Sequence, residues 1–280
     1  MTTGRTRAVR RAAYLLAAGA LAAGCSADPI RNTGGDAGAG GSPPSASATP
    51  SPASPPPSAG ASPGQPSFTP DPDRIPRTRA DALRLARAVA FLPRDWGDGF
   101  VAQDPAESDP DTWAVLDETC RWTREPLPGD VLAAVSRYSE LPLGEGRGAV
   151  RVTAVVTVHT TVASADDRLS TTLEEVMRCP EQEIRPGERI TDLNSLGRPA
   201  GTSQDYADDS VFEAGTYVLQ SGGTTLTHPY QWTVDRLGPV TIAVSVRGAD
   251  DEGAPAPLTV ATRGTAGMRA RVVDLLESEN

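Results

Sequence analysis

The chain has 280 residues with 26 basic and 36 acidic side chains, and all of the basic ones are arginine. A formal charge of −10 repels nucleic acid, so no nucleic-acid partner is expected. Three cysteines and two histidines leave little raw material for a metal centre or a histidine-based catalyst.

At the N-terminus Arg5, Arg7, Arg10 and Arg11 precede an uncharged run, mostly Ala, Leu and Gly, from residue 12 to 24. That is the layout of a secretory signal, and the run is too short for the roughly 20 residues that span a bilayer. Instead of an Ala-x-Ala cut it ends Leu21-Ala22-Ala23-Gly24-Cys25, which resembles the lipobox of bacterial lipoproteins. The resemblance implies lipidation of Cys25, cleavage just before it, and a lipid anchor holding the chain on the extracytoplasmic face of the cell membrane. Ala22 departs from the leucine usual at that position. An ordinary signal with Cys25 left as a thiol is the alternative. Without the four signal arginines, 22 basic residues face 36 acidic ones, a charge near −14.

Residues 25–75, with their run SPPSASATPSPASPPPSAGASPGQPS, carry hardly any large apolar side chain. Such a segment cannot offset its ordering entropy by burial, and it reads as a disordered stalk with polyproline II character. Its ends would lie roughly 40 Å apart as a coil and about 150 Å apart fully extended. Residues 76–280 then form a single domain of ordinary size.

In that domain Thr78 and Asp81 start a helix through Ala82, Leu85, Ala86, Val89 and Leu92, which Pro93 stops. After Pro128-Gly129-Asp130, the spacing of Val131, Ala134, Val135 and Tyr138 predicts a short second helix. From Val150 the period changes to two. Val150, Val152, Ala154, Val156 and Val158 share one face, and Arg151, Thr153, Thr157 and His159 a wetter one. Ser164 is the expected cap of a helix with Leu169, Leu173, Val176 and Met177, ending at Cys179-Pro180. A strand near Ile190 is followed by three alternating runs, 212–220, 225–235 and 240–246, joined by Gly turns into an antiparallel meander. Pro229 in the middle run indicates an edge or a bulge. A strand at Leu258–Ala261 and a helix with Met268, Val272, Leu275 and Leu276 close the chain. The fold class expected is α+β, a twisted antiparallel sheet with helices packed mainly on one face.

With Cys25 assigned to lipid, Cys120 and Cys179 remain, and an oxidising compartment favours their pairing as a single disulfide. No serine elbow, zinc helix, phosphate loop or dinucleotide motif is present, so neither an enzyme nor a cofactor is expected. The acidic clusters Asp104–Asp111 and Asp250-Asp251-Glu252 lack calcium-loop spacing and read as solvated loops. The four tryptophans, Trp96, Trp113, Trp122 and Trp232, serve either as core or as pocket walls. His228, Tyr230 and Trp232, on one face of a strand, are the candidate ligand-binding residues.

The stretches AVAFLPRDWGDGF (88–100), VRVTAVVTVHTTVASADDRLSTTLEEVMRC (150–179) and the later meander resemble the PknH-like extracellular sensor-domain family of actinobacterial envelope proteins. The resemblance implies a disulfide-braced sheet with flanking helices and a cleft for an unidentified extracellular ligand. It departs by offering one bridge where that family commonly has two. The expected function is therefore a non-enzymatic, membrane-anchored ligand-binding or sensor domain, its partner a small molecule or an envelope protein. The alternatives are a carrier or chaperone for apolar envelope molecules and an envelope hydrolase using acidic residues.

Overall fold

The computed structural model describes residues 68–144, 148–197, 207–248 and 253–277. The signal, Cys25, residues 26–67 of the stalk and the Asp250-Asp251-Glu252 cluster lie outside the described residues. In chain order the elements are α1 (Arg79–Val89), α2 (Pro93–Trp96), β1 (Val101–Glu107), β2 (Thr112–Leu116), β3 (Trp122–Pro126), β4 (Val131–Pro142) and β5 (Ala149–His159). Then follow α3 (Val162–Arg178), β6 (Gln182–Arg185), β7 (Glu188–Gly197), β8 (Asp209–Ser221), β9 (Thr224–Leu237), β10 (Val240–Gly248) and α4 (Pro257–Leu276). Phe68, which composition places in the stalk, is buried, and the Asp71 amide donates to the Leu276 carbonyl at 2.7 Å. The last residues before α1 are thus part of the packed body.

Eight strands form one antiparallel sheet in the order β1-β4-β5-β10-β9-β8-β7-β6, and β2 and β3 make a separate hairpin. The meander is β8, β9 and β10. Pro229 sits where β9 outruns β10, whose last partner is Tyr230, so no ladder bond is lost on that side. Residues 131–142 are a strand, not the expected helix. They lie between β1 and β5, buried on both sides, and a continuous apolar run in a central strand mimics helical spacing. The strand expected at Leu258–Ala261 is the first turn of α4, opened by Pro257 at a position where its missing N–H costs nothing.

Alternating side chains divide the sheet into two unlike faces. On one, Val152, Val156, Ile242 and Val244 form the main core with Ala82, Ala86 and Val89 of α1 and Val260, Met268 and Val272 of α4. Two glycines in α4 let aromatics approach closely: a Cβ on Gly264 would lie 2.5 Å from the Trp96 ring, and one on Gly267 would lie 2.3 Å from Phe91. Arg269 of α4 adds a buried ion pair, its Nε 3.3 Å from Oδ2 of Asp235, whose Oδ1 accepts from the Ser210 hydroxyl at 2.7 Å.

The opposite face carries Val155, Ala243, Val234 and Val211, packed under Leu169 of α3. Helices therefore occupy both faces: α1, α2 and α4 one, α3 the other. The expectation of helices mainly on one face misses α3, because the supposedly wetter face of β5 is itself covered. Thr153, Thr157 and His159 are all buried there. Thr161, not Ser164, caps α3; its Oγ1 accepts the Ser164 amide at 3.0 Å. Leu173 and Met177, expected on the buried stripe, are exposed, Met177 by 85%.

Candidate functional site

The second face holds a groove between the sheet and the β2–β3 hairpin. Its floor follows from side-chain size. The central positions are Ser136 on β4, Thr153 and Val155 on β5, and Ser245 on β10, where a fully packed face would carry larger groups. Trp122 of the hairpin, Trp232 and Tyr230 of β9, Tyr138 of β4, and Ile184 and Ile190 stand around them as walls. The groove is partly open to solvent and offers about 160 Å³, lined mostly by apolar surface. An adjoining void of about 60 Å³ runs beneath α3, between Trp113, Arg168 and Thr172.

The hairpin forms the roof, and its sequence explains its position. Asp117 closes the turn: its Oδ1 accepts from the amides of Thr119 at 2.8 Å and Arg121 at 2.9 Å, and these bonds hold its carboxyl below the usual range. Cys120 in that turn is bonded to Cys179 at the end of α3, with Cα atoms 5.5 Å apart, so the expected bridge is present. Around it Trp122 Nε1 donates to Gln182 Oε1 at 2.8 Å, Arg121 pairs with Glu183 at 2.9 Å, and Arg178 donates to the carbonyls of Leu116 and Asp117. At the other end Arg168 lies 5.4 Å over the Trp113 ring, and Arg79 pairs with Asp111.

Of the three candidate ligand residues, Tyr230 and Trp232 line the groove, while His228 lies further along β9, opposite Tyr217 and outside the lining. Trp113 and Trp122 join the walls, whereas Trp96 is core. The acidic stretch 104–111 is not simply a solvated loop. Its first half is edge strand β1, and Glu107 there pairs with Arg87 at 2.8 Å and Arg137 at 3.1 Å. Among the described residues no group of three or more His, Cys, Asp or Glu side chains could hold a metal ion, and no helix is long and apolar enough to cross a membrane.

Sequence reasoning missed the buried titratable groups behind the groove. Glu213 on β8 is directly opposite Trp232 and only 3% exposed, with Oε1 lacking a hydrogen-bond partner. Burial, reinforced by Glu175 of α3, pushes its carboxyl up to about 8, so it holds a proton at neutral pH. Glu175 accepts from Arg168 Nη1 at 3.0 Å. Neither glutamate is among the groove's lining residues. Tyr230 is raised by burial and by Glu213. His159, 2% exposed, meets Thr241 Oγ1 at 3.2 Å, and burial lowers its imidazole to about 4. Only the tertiary cover of α3 makes these groups special, and nothing in their local sequence announces it.

Aromatic walls and a hydroxyl-bearing floor suit a ring-sized apolar group. No family model matches the chain, and no curated protein matches it.

Proposed function

We propose that this chain is a lipid-anchored extracytoplasmic binding protein. Its folded domain captures a small ligand, without catalysis, in the groove under the β2–β3 hairpin. The observation that carries the reading is the groove itself, in which Trp122, Trp232 and Tyr230 surround small Ser, Thr and Val positions. The lipobox-like Cys25, the Pro/Ser-rich stalk and the sensor-like layout are consistent with a domain presented at the membrane surface. The volume favours recognition over transport, because a carrier for long apolar molecules needs several hundred Å³.

The test is saturation-transfer NMR titration with toluene, a neutral single-ring probe within the groove's size, on the full chain with Cys25→Ala so that no lipid is attached. Saturable binding that is lost in both Trp232→Ala and Trp122→Ala is expected. Binding indifferent to both substitutions would remove the groove from consideration. Labelled fatty acid should appear on wild-type protein and not on Cys25→Ala, and unlabelled wild type in the medium would overturn the anchor.

A further inference from the structure

One row of side chains crosses the sheet at the groove's end as Glu140, Arg151, Arg247 and Tyr230, each directly opposite the next. Two arginines thus face each other across β5 and β10, an arrangement that like charges disfavour. Glu140 answers one of them, with Oε2 3.4 Å from Arg151 Nε. Arg247 has no equivalent partner among the described residues. Its Nη1 reaches the Ser245 hydroxyl only at 3.5 Å, and its Nε is buried without a hydrogen bond. The carboxylate of Glu188 feels the Arg247 charge but is bonded to Arg185. Arg247 also lines the groove, beside Tyr230, Trp232 and Ser245.

Resting on the binding reading above, the geometry points to a small organic acid as the ligand, its oxyanion on Arg247 and its ring-sized body between Trp122 and Trp232. A part-buried guanidinium that lines the groove, with no carboxylate among the described residues paired to it and only a long bond to Ser245, offers the charge-assisted donors that a carboxylate or similar oxyanion accepts. A neutral ligand would leave those donors unsatisfied, and a cation would add a third positive charge to the row. The body is limited by size: about 160 Å³ compares with the ~150 Å³ apolar cavity that accommodates benzene.

The test uses three probes with one body, 4-phenylbutyrate, 4-phenylbutan-1-ol and 4-phenylbutylamine, titrated by saturation-transfer NMR into the full chain with Cys25→Ala. The acid should bind about tenfold more tightly than the alcohol, with the amine weakest. Arg247→Gln should bring the acid down to the alcohol's affinity, while Arg94→Gln, an exposed arginine of α2 away from the groove, leaves the difference intact. Equal binding of acid and alcohol to wild type would overturn the acid inference and leave the groove reading standing. Binding of none of the three, or binding unchanged in both Trp232→Ala and Trp122→Ala, would overturn both.

Discussion

Replacing Gly267 by alanine in α4 separates close packing from helix propensity, because the two act in opposite directions. In an unpacked helix, alanine gains about 1 kcal/mol over glycine. Here the new Cβ lies 2.3 Å from Cζ of Phe91, well inside the roughly 3.5–4.0 Å of ordinary carbon contact, so ring or helix must shift by more than 1 Å. The ring has little freedom to yield. Phe91 is 5% exposed, makes an edge contact with Trp96 at 5.1 Å between centroids, and lies under the Arg271 guanidinium at 4.6 Å. Overpacking of this kind costs typically 1–3 kcal/mol, and disturbing the aromatic pair adds about 0.5–1.5 kcal/mol. Net of the propensity gain, Gly267→Ala should destabilise by about 2 kcal/mol, lowering Tm by roughly 4–8 °C for a domain of this size. Calorimetry would measure it, with Thr262→Ala on the exposed side of α4 as the control. Phe91→Leu combined with Gly267→Ala should be less destabilised than the two single changes added together, because the smaller side chain opens room for the methyl. A Gly267→Ala protein that melts higher than wild type would refute the reasoning.

Three further outcomes follow from the site's surroundings. Glu213 titrates at about 8 in the folded protein against an ordinary 4.5, so the folded state binds the extra proton and stability falls as pH rises between those values. Glu213→Gln should remove that slope and raise stability at pH 7 by up to ~3 kcal/mol in urea titrations, and a variant less stable than wild type at pH 7 would contradict it. His159 behaves oppositely. With its folded value lowered to about 4 from 6.5, stability is complete above pH 6.5 and is lost as pH falls toward 4, by ~2 kcal/mol at pH 5. His159→Gln should flatten that acid limb, and an unchanged acid limb would show that the imidazole is not the cause. Breaking the Cys120–Cys179 bridge, which closes a separation of 59 residues, should cost about 4 kcal/mol at most in the chain-entropy account. With Cys120→Ala, probe binding in the groove should weaken before the far-UV signal of the sheet changes, and binding at wild-type strength would show that the hairpin needs no tether.

What could be read from the sequence was whatever depended on one face at a time. The alternation of Val150 to Val158 marks β5 because its one-sided core is purely aliphatic, and α1 was legible because Thr78, Asp81 and Pro93 delimit it locally. Residues 131–142 misled because a strand buried on both faces has no period-two signal, and the apolar residues left over fall by coincidence at helical spacing. The hairpin was missed for another reason. Trp113 and Trp122 lie on two strands of five residues each, whose position is set by a disulfide and by Gln182, Glu183 and Arg178 some sixty residues later. Tyr230 and Trp232 were found from their shared face, but Arg247 was not. Its importance lies in facing Arg151 across the sheet, and strand register cannot be read from one strand.

The two faces of the sheet are packed to different degrees. The face under α1 and α4 is filled by Val, Ile, Met and aromatic groups down to glycine notches. The other face has small hydroxyl-bearing residues at its centre and titratable groups held out of water, both of which lower its contribution to folding. Its cover is correspondingly slight, one helix and a two-stranded hairpin, and a lone hairpin is marginal in water. The covalent tie falls where that weakness is greatest, joining the hairpin turn to the end of α3. The roof is held at one end by the disulfide and at the other by a cation over an indole and an ion pair, few contacts beside the continuous core on the opposite face.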